Sequence, residues 1–139
     1  ADVIVGFPTE TEENFLETVE FCRAAKFLHL HIFPYSKRKG TEAAVMGGQI
    51  PEHEKKLRLG RLEEIGAEIK HELIDEYIAT HRDNPVYMLT EKCSGRFSTG
   101  HSEHFIEVKA LDCVSEIGEI VPVVLDGYDG HFCTGKRAE

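Results

Sequence analysis

The sequence predicts a partial parallel α/β barrel, built from a β-α-β unit and a long helix, followed by a small antiparallel β-barrel. Three observations predict this. Two short apolar runs, residues 2–6 and 28–33, flank an amphipathic stretch. Residues 51–80 keep one apolar face at helical spacing. From Asn84 onward the period falls to two, broken repeatedly by glycine.

Asp2, Val3, Ile4, Val5 and Gly6 form a β-branched run closed by Gly-Phe-Pro, which reads as a buried strand. Thr11 can cap the following helix, with Glu12 and Glu13 where the helix dipole favours negative charge. Phe15, Val19 and Cys22 recur at helical spacing and are expected in the core. Residues 28–33 alternate and stop at Pro34, a second strand. Strand, helix and strand within so short a span imply parallel pairing through a right-handed crossover. Parallel strands need cover on both faces, so further partner strands are expected N-terminal to residue 1. Starting at Ala1, inside a strand, the chain reads as a piece of a longer protein.

Residues 36–49 are a Lys/Arg/Gly loop. Pro51 then opens a helix whose Leu57, Leu62, Ile65, Ile69 and Leu73 mark one face. Gly60 and Gly66 weaken it by about 1 kcal/mol each relative to alanine. Strands are expected near residues 86–92, 105–111, 119–125 and 131–134, with turns at Gly95, Gly100, Gly118, Gly127 and Gly130. The domain boundary falls at 1–82 and 83–139.

Composition narrows the function. A net charge of −9 argues against a strong nonspecific nucleic-acid binder, because phosphate contacts need Lys and Arg. Acidic residues outnumber basic ones 15 to 11 before Asp83 and 10 to 5 from it onward, so both parts are acidic. No apolar run reaches the roughly 20 residues that span a bilayer. Cys22, Cys93, Cys113 and Cys133 lack C-x-x-C spacing, which favours free thiols in a cytoplasmic protein.

Three stretches, in order, resemble the radical-SAM methylthiotransferases. Residues 2–11, with Gly6-Phe7-Pro8-Thr9-Glu10-Thr11, resemble the Gly-Phe-Pro-Gly-Glu-Thr segment late in their barrel. Residues 31–41, His-Ile-Phe-Pro-Tyr-Ser-Lys-Arg-Lys-Gly-Thr, resemble the next strand and loop, and Gln49-Ile50-Pro51 continues the match. Residues 100–108, from Gly100-His101-Ser102-Glu103-His104-Phe105, are similar to the Gly-His-Thr-Glu-Asn-Tyr segment of the TRAM domain, an OB-like barrel. Thr9 departs from the usual Gly, His104 from Asn and Phe105 from Tyr. The wording of residues 31–41 most resembles the branch acting on N6-threonylcarbamoyladenosine in tRNA.

That resemblance implies a parent enzyme that uses S-adenosylmethionine and two 4Fe-4S clusters to add a methylthio group beside the tRNA anticodon. The cluster cysteines, a C-x-x-x-C-x-x-C triad and a second set, are absent here, so this chain alone is expected to be inactive. Its expected partners are the tRNA anticodon loop and the missing N-terminal part of its own enzyme, with no membrane. By resemblance Gly6, Phe7, Pro8 and Glu10 lie near S-adenosylmethionine; as plain residues they also read as a tight turn with a dipole-complementing carboxylate.

Tyr35, Ser36, Lys37, Arg38 and Lys39 follow a strand end where an RNA phosphate could reach. In the barrel, Lys92, Arg96 and Lys109 are candidate phosphate contacts, with Phe97 and Phe105 as stacking rings or core residues. His101, His104 and His131 with Cys133 lack the convergence zinc requires, and His29 and His31 read as packing histidines. Two rival readings are a ribosomal-protein aspartate methylthiotransferase, whose basic substrate suits the acidic barrel, and a noncatalytic RNA- or protein-binding module.

Overall fold

The computed structural model describes residues 1–138 as two compact units, Ala1–Leu73 and the remainder from Ile74 onward. In the first, β1 (Asp2–Val5) and β2 (His31–Pro34) pair in parallel through α1 (Glu12–Ala25), in the register Asp2↔His31 to Val5↔Pro34. The parallel β-α-β reading therefore holds, but β2 starts three residues later than expected. Residues 28–30 instead cross from α1 to the strand, and Leu30 packs with Phe27 against the core. Pro34 ends β2 without cost, because the next N–H, that of Tyr35, donates to the Val5 carbonyl at 2.8 Å.

Thr11 caps α1 as expected: its Oγ1 accepts from the Asn14 N–H at 3.2 Å, and Asn14 Oδ1 accepts from the Thr11 N–H at 3.1 Å. Removing that reciprocal pair with Thr11→Ala is expected to cost about 1 kcal/mol, read as a lower melting temperature of the first unit. Phe15, Val19 and Cys22 are buried, with Val5, Leu62 and Ile69, on one face of the two strands. Burial also pushes the Cys22 thiol pKa up. The other face is bare: Ile4 and Phe33, opposite each other in the register, are half exposed. The expected buried strand is thus covered on one side only. His29 and His31, read as packing histidines or as lining the barrel interior, are exposed and do not pack in the core of this unit.

A four-residue helix α2 (Glu42–Val45) interrupts the loop read over 36–49. Next, α3 (Glu52–Thr80) runs as one uninterrupted helix despite its two glycines. At Gly66 the missing side chain has a use: a Cβ there would sit 3.4 Å from Leu30 Cδ1. Leu62 and Ile69 face the core as read, whereas Leu57 is exposed, because Lys55 and Arg58 take the inward positions of the first two turns.

The second unit starts within α3, whose Ile74 is buried and whose Tyr77 hydroxyl donates to Ser102 Oγ at 3.2 Å. Five strands close into a barrel in the order β3-β4-β5-β7-β6: β3 (Val86–Ser94), β4 (Phe97–Ser102), β5 (Glu107–Leu111), β6 (Ile120–Tyr128) and β7 (Cys133–Arg137). Four strands were expected, all antiparallel. The barrel is mixed instead, because β5 and β7 pair in parallel. The strand that sequence missed is β4, whose Phe-Ser-Thr-Gly-His-Ser composition reads as a turn.

Gly100 and Gly127 sit within strands rather than turns; Gly95, Gly118 and Gly130 do turn the chain, each at positive φ. Alternate residues fill the interior, among them Val86, Met88, Val108, Ala110, Val121 and Val123. At one end the interior is polar but satisfied. Ser115 Oγ lies 3.0 Å from Thr90 Oγ1 and 2.7 Å from Ser98 Oγ, and Ser98 donates to the Cys113 carbonyl at 3.1 Å.

Candidate functional site

In the first unit the candidate residues collect at the C-terminal ends of both strands. Gly6 adopts φ 71°, and a Cβ on it would lie 2.5 Å from Lys55 Cγ. The close approach that Gly6 permits is therefore filled by Lys55. The Gly6 N–H donates to Glu10 Oε1 at 3.0 Å. The same oxygen accepts from Arg58 at 2.6 Å, and the Glu10 carbonyl accepts from that guanidinium at 3.1 Å. Arg58 is 3% exposed and Glu10 12%, so this is a buried ion pair, reinforced by Glu54. Such a pair fixes geometry more surely than it adds stability.

Lys55, 4% exposed, reaches the other strand end: its Nζ donates to the Tyr35 carbonyl at 3.0 Å and to Glu52 at 2.7 Å. That bond holds the Glu52 carboxyl below its ordinary pKa. Two consecutive turns of α3 thus fasten both loops that carry the candidate residues. Sequence reading missed Lys55 and Arg58 because a charged helix start reads as a solvated face. The available signal was their i, i+3 spacing in register with Leu62.

Phe7, Tyr35, Ser36 and Arg38 line one cavity of about 640 Å³ with Ile4 and Phe33. Lys37 faces a neighbouring one beside Gln49 and Lys55, and Lys39 is exposed in the loop and lines neither. Phe7 packs edge-on against Tyr35, ring centroids 5.4 Å apart. The Tyr35 hydroxyl is buried without a hydrogen-bond partner among the described residues. Pro8 is buried in the turn and Glu10 is committed to Arg58, so Phe7 is the residue of the first loop that offers surface to the cavity.

In the barrel, Lys92, Phe97 and Lys109 come together in a cavity of about 540 Å³ that also holds Ile117 and Phe132. Lys109 Nζ stands 4.8 Å above the Phe97 ring. Arg96 is exposed in the turn after Gly95 and does not line it. Phe105 is neither core nor part of that cavity. It sits at φ 59° in the β4–β5 turn, 78% exposed, and lines a separate apolar cavity with Tyr87, Leu89 and Ile120. Phe132 was not singled out from sequence because residues 131–134 read as a strand, whereas β7 starts only at Cys133 and Phe132 lies in the bend before it.

The histidines do not converge: His101 pairs with Glu91 at 2.9 Å, His104 meets Tyr77, and His131 faces Glu107 at 3.6 Å. Among the described residues no group of three or more His, Cys, Asp or Glu could hold a metal ion. Nor, among them, is any helix long and apolar enough to cross a membrane.

Asp129 organises the turn beside Lys109, accepting from the N–H groups of Phe132 at 2.8 Å and His131 at 3.0 Å. These bonds hold its carboxyl below the ordinary carboxylate pKa. A depressed pKa stabilises the fold above the unfolded value and loses that contribution as pH falls through the folded one. Asp129→Ala is therefore expected to lower barrel stability at neutral pH, with the difference vanishing on acid titration.

No family model matches the chain, but curated proteins do. Over 128 residues it is 37% identical to the Threonylcarbamoyladenosine tRNA methylthiotransferase MtaB of Bacillus subtilis, covering 88% of this chain and 28% of that protein. The chain belongs to the methylthiotransferase family and corresponds to its C-terminal part. Both tRNA branches are represented. The tRNA-2-methylthio-N(6)-dimethylallyladenosine synthase of Saccharopolyspora erythraea is 38% identical over 127 residues, 86% of this chain and 26% of its own length. The MtaB protein of Rickettsia prowazekii is 38% identical over 129 residues, 93% and 28% respectively. The chain spans about a quarter of the length of these relatives.

Proposed function

We propose that this chain is the C-terminal part of a radical-SAM enzyme that adds a methylthio group to C2 of N6-threonylcarbamoyladenosine next to the tRNA anticodon. Residues 1–82 would end the radical-SAM barrel with its connecting helix, and 83–139 would form a TRAM-like barrel that binds the anticodon region. The observation that carries this reading is the similarity to tRNA methylthiotransferases along nearly the whole chain. The wording of residues 31–41 favours the threonylcarbamoyl branch over the dimethylallyl one. That the relatives are named for tRNA weighs against the ribosomal-protein reading.

The iron–sulfur clusters do not fit this chain. Among the described residues no group of three or more His, Cys, Asp or Glu could hold a metal ion, and all four cysteines are free thiols. Their ligands belong to the longer protein, and we draw no step through them. S-adenosylmethionine fits better, as the source of the radical and the methyl group when bound. Phe7 and Tyr35 would offer it apolar ring surface at the strand ends, while Gly6, Pro8 and Glu10 hold the loop in shape. Ser36, Lys37, Arg38 and Lys39 would face RNA phosphates, as would Lys92, Arg96 and Lys109 from the barrel.

The test is made on the longer protein that carries this chain, reconstituted with its clusters and incubated with tRNA. Nucleosides are then separated by mass. Methylthio-threonylcarbamoyladenosine is the expected product. The dimethylallyl counterpart would move the chain to the sister branch, and no methylthio nucleoside of either kind would sink the assignment.

A further inference from the structure

We infer that the barrel cavity walled by Ile117 and Phe132 receives a single unpaired nucleobase, stacked on Phe132, with Lys92 and Lys109 meeting the phosphates beside it. The inference rests on the reading of the barrel as an RNA-binding unit and adds to it the ring that does the stacking. Phe97, the ring the sequence suggests, is poorly placed for this role. Lys109 Nζ already caps its face at 4.8 Å, so that face is not open to a base.

Phe132 is better prepared. Its ring meets that of His131 edge-on, centroids 4.3 Å apart and planes at 83°, which fixes its orientation. The backbone beneath is tied twice to Asp129, at 2.8 and 3.0 Å. A ring held in place before binding loses little freedom when a base arrives. Opposite it, Ile117 is 74% exposed and offers a second apolar wall.

Charge surrounds this slot asymmetrically. Lys92 is exposed at the rim, and Lys109 is within 3.9 Å of Asp129, which holds the ammonium at the edge. Glu91 also lines the cavity, but its carboxylate turns to His101 at 2.9 Å. A cavity of about 540 Å³ with one presented ring suits a base that is already out of a stack. Bases in a duplex have no free face to present.

The test uses the 139-residue chain and fluorescein-labelled hexauridylate, followed by anisotropy across a salt series. Phe132→Leu keeps an apolar side chain and removes the π face; it is expected to weaken binding roughly tenfold with an unchanged salt slope. Lys92→Ala is expected to lower the slope by about 0.7. Ile117→Glu, on an exposed side chain that burial does not constrain, should abolish binding while leaving the melting temperature intact. If Phe132→Leu and Ile117→Glu bind as the parent while Lys92→Ala weakens, RNA lies elsewhere on the barrel. The inference then falls and the RNA-binding reading stands. If the unaltered chain binds neither hexauridylate nor a tRNA anticodon stem-loop, both fall.

Discussion

Gly100→Ala is expected to prevent the barrel from closing, the largest effect of any single methyl group in this chain. A Cβ at Gly100 would lie 1.7 Å from the carbonyl oxygen of Leu89 and 2.8 Å from its carbon. Both atoms are backbone of the adjacent strand, so no rotamer change relieves the clash. The strands themselves would have to part where β3 already slips register, between Thr90 and Lys92. Overpacking that moves backbone falls at the severe end of mutational effects, and a loss of about 3 kcal/mol or more is expected. Urea unfolding of the barrel, followed by tyrosine fluorescence, measures it. Gly60→Ala provides the contrast: a Cβ there meets nothing within 4 Å on a helix, and about 1 kcal/mol of stabilisation is expected. A Gly100→Ala barrel with the parent's urea midpoint would mean that β3 and β4 can separate freely at this point.

The second large effect is expected at Arg58. Substituting methionine removes the guanidinium from Glu10 and leaves a carboxylate that is 12% exposed and still accepts from the Gly6 N–H. Breaking a buried pair from one side costs about 3–5 kcal/mol, because the surviving charge stays desolvated. Arg58→Met with Glu10→Gln should therefore lose far less than the two single losses together. A double-mutant cycle reads the difference as a coupling energy. Strict additivity would mean that the two groups do not depend on each other, and Arg58 would then be no more than a packing residue. The loop that carries Phe7 hangs on this pair, so the single variant should also loosen the cavity that Phe7 and Tyr35 share.

Periodicity and caps were legible because they are local. Thr11 and Asn14 lie within one turn, and Phe15, Val19 and Cys22 announce a helical face regardless of what covers it. The alternation after residue 86 likewise announced strands, and the order of motifs carried the family. Residues 97–102 failed to announce themselves. Ser, Thr and Gly suit turns locally, yet here Ser98 is spent on an interior hydroxyl network and Gly100 on a close strand approach. The same failure reversed Phe105, an apparent strand residue that the turn at φ 59° throws outward.

The candidate site divided in the same way. Residue types and loop positions named Phe7, Tyr35, Arg38, Lys92, Phe97 and Lys109 from sequence alone, because strand ends and basic residues beside aromatics are one-dimensional patterns. Which of them keep free surface was a tertiary matter. Glu10 reads as a dipole-complementing carboxylate until Arg58, distant in sequence, closes on it at 2.6 Å. Lys55 reads as a solvated lysine until the helix lays it over Gly6. The sequence by itself determined the elements other than α2 and β4, their order and the family. Only the tertiary structure decided the parallel β5–β7 pairing, the buried charges on α3 and the ring presented at Phe132, since each depends on long-range approaches that no local pattern encodes.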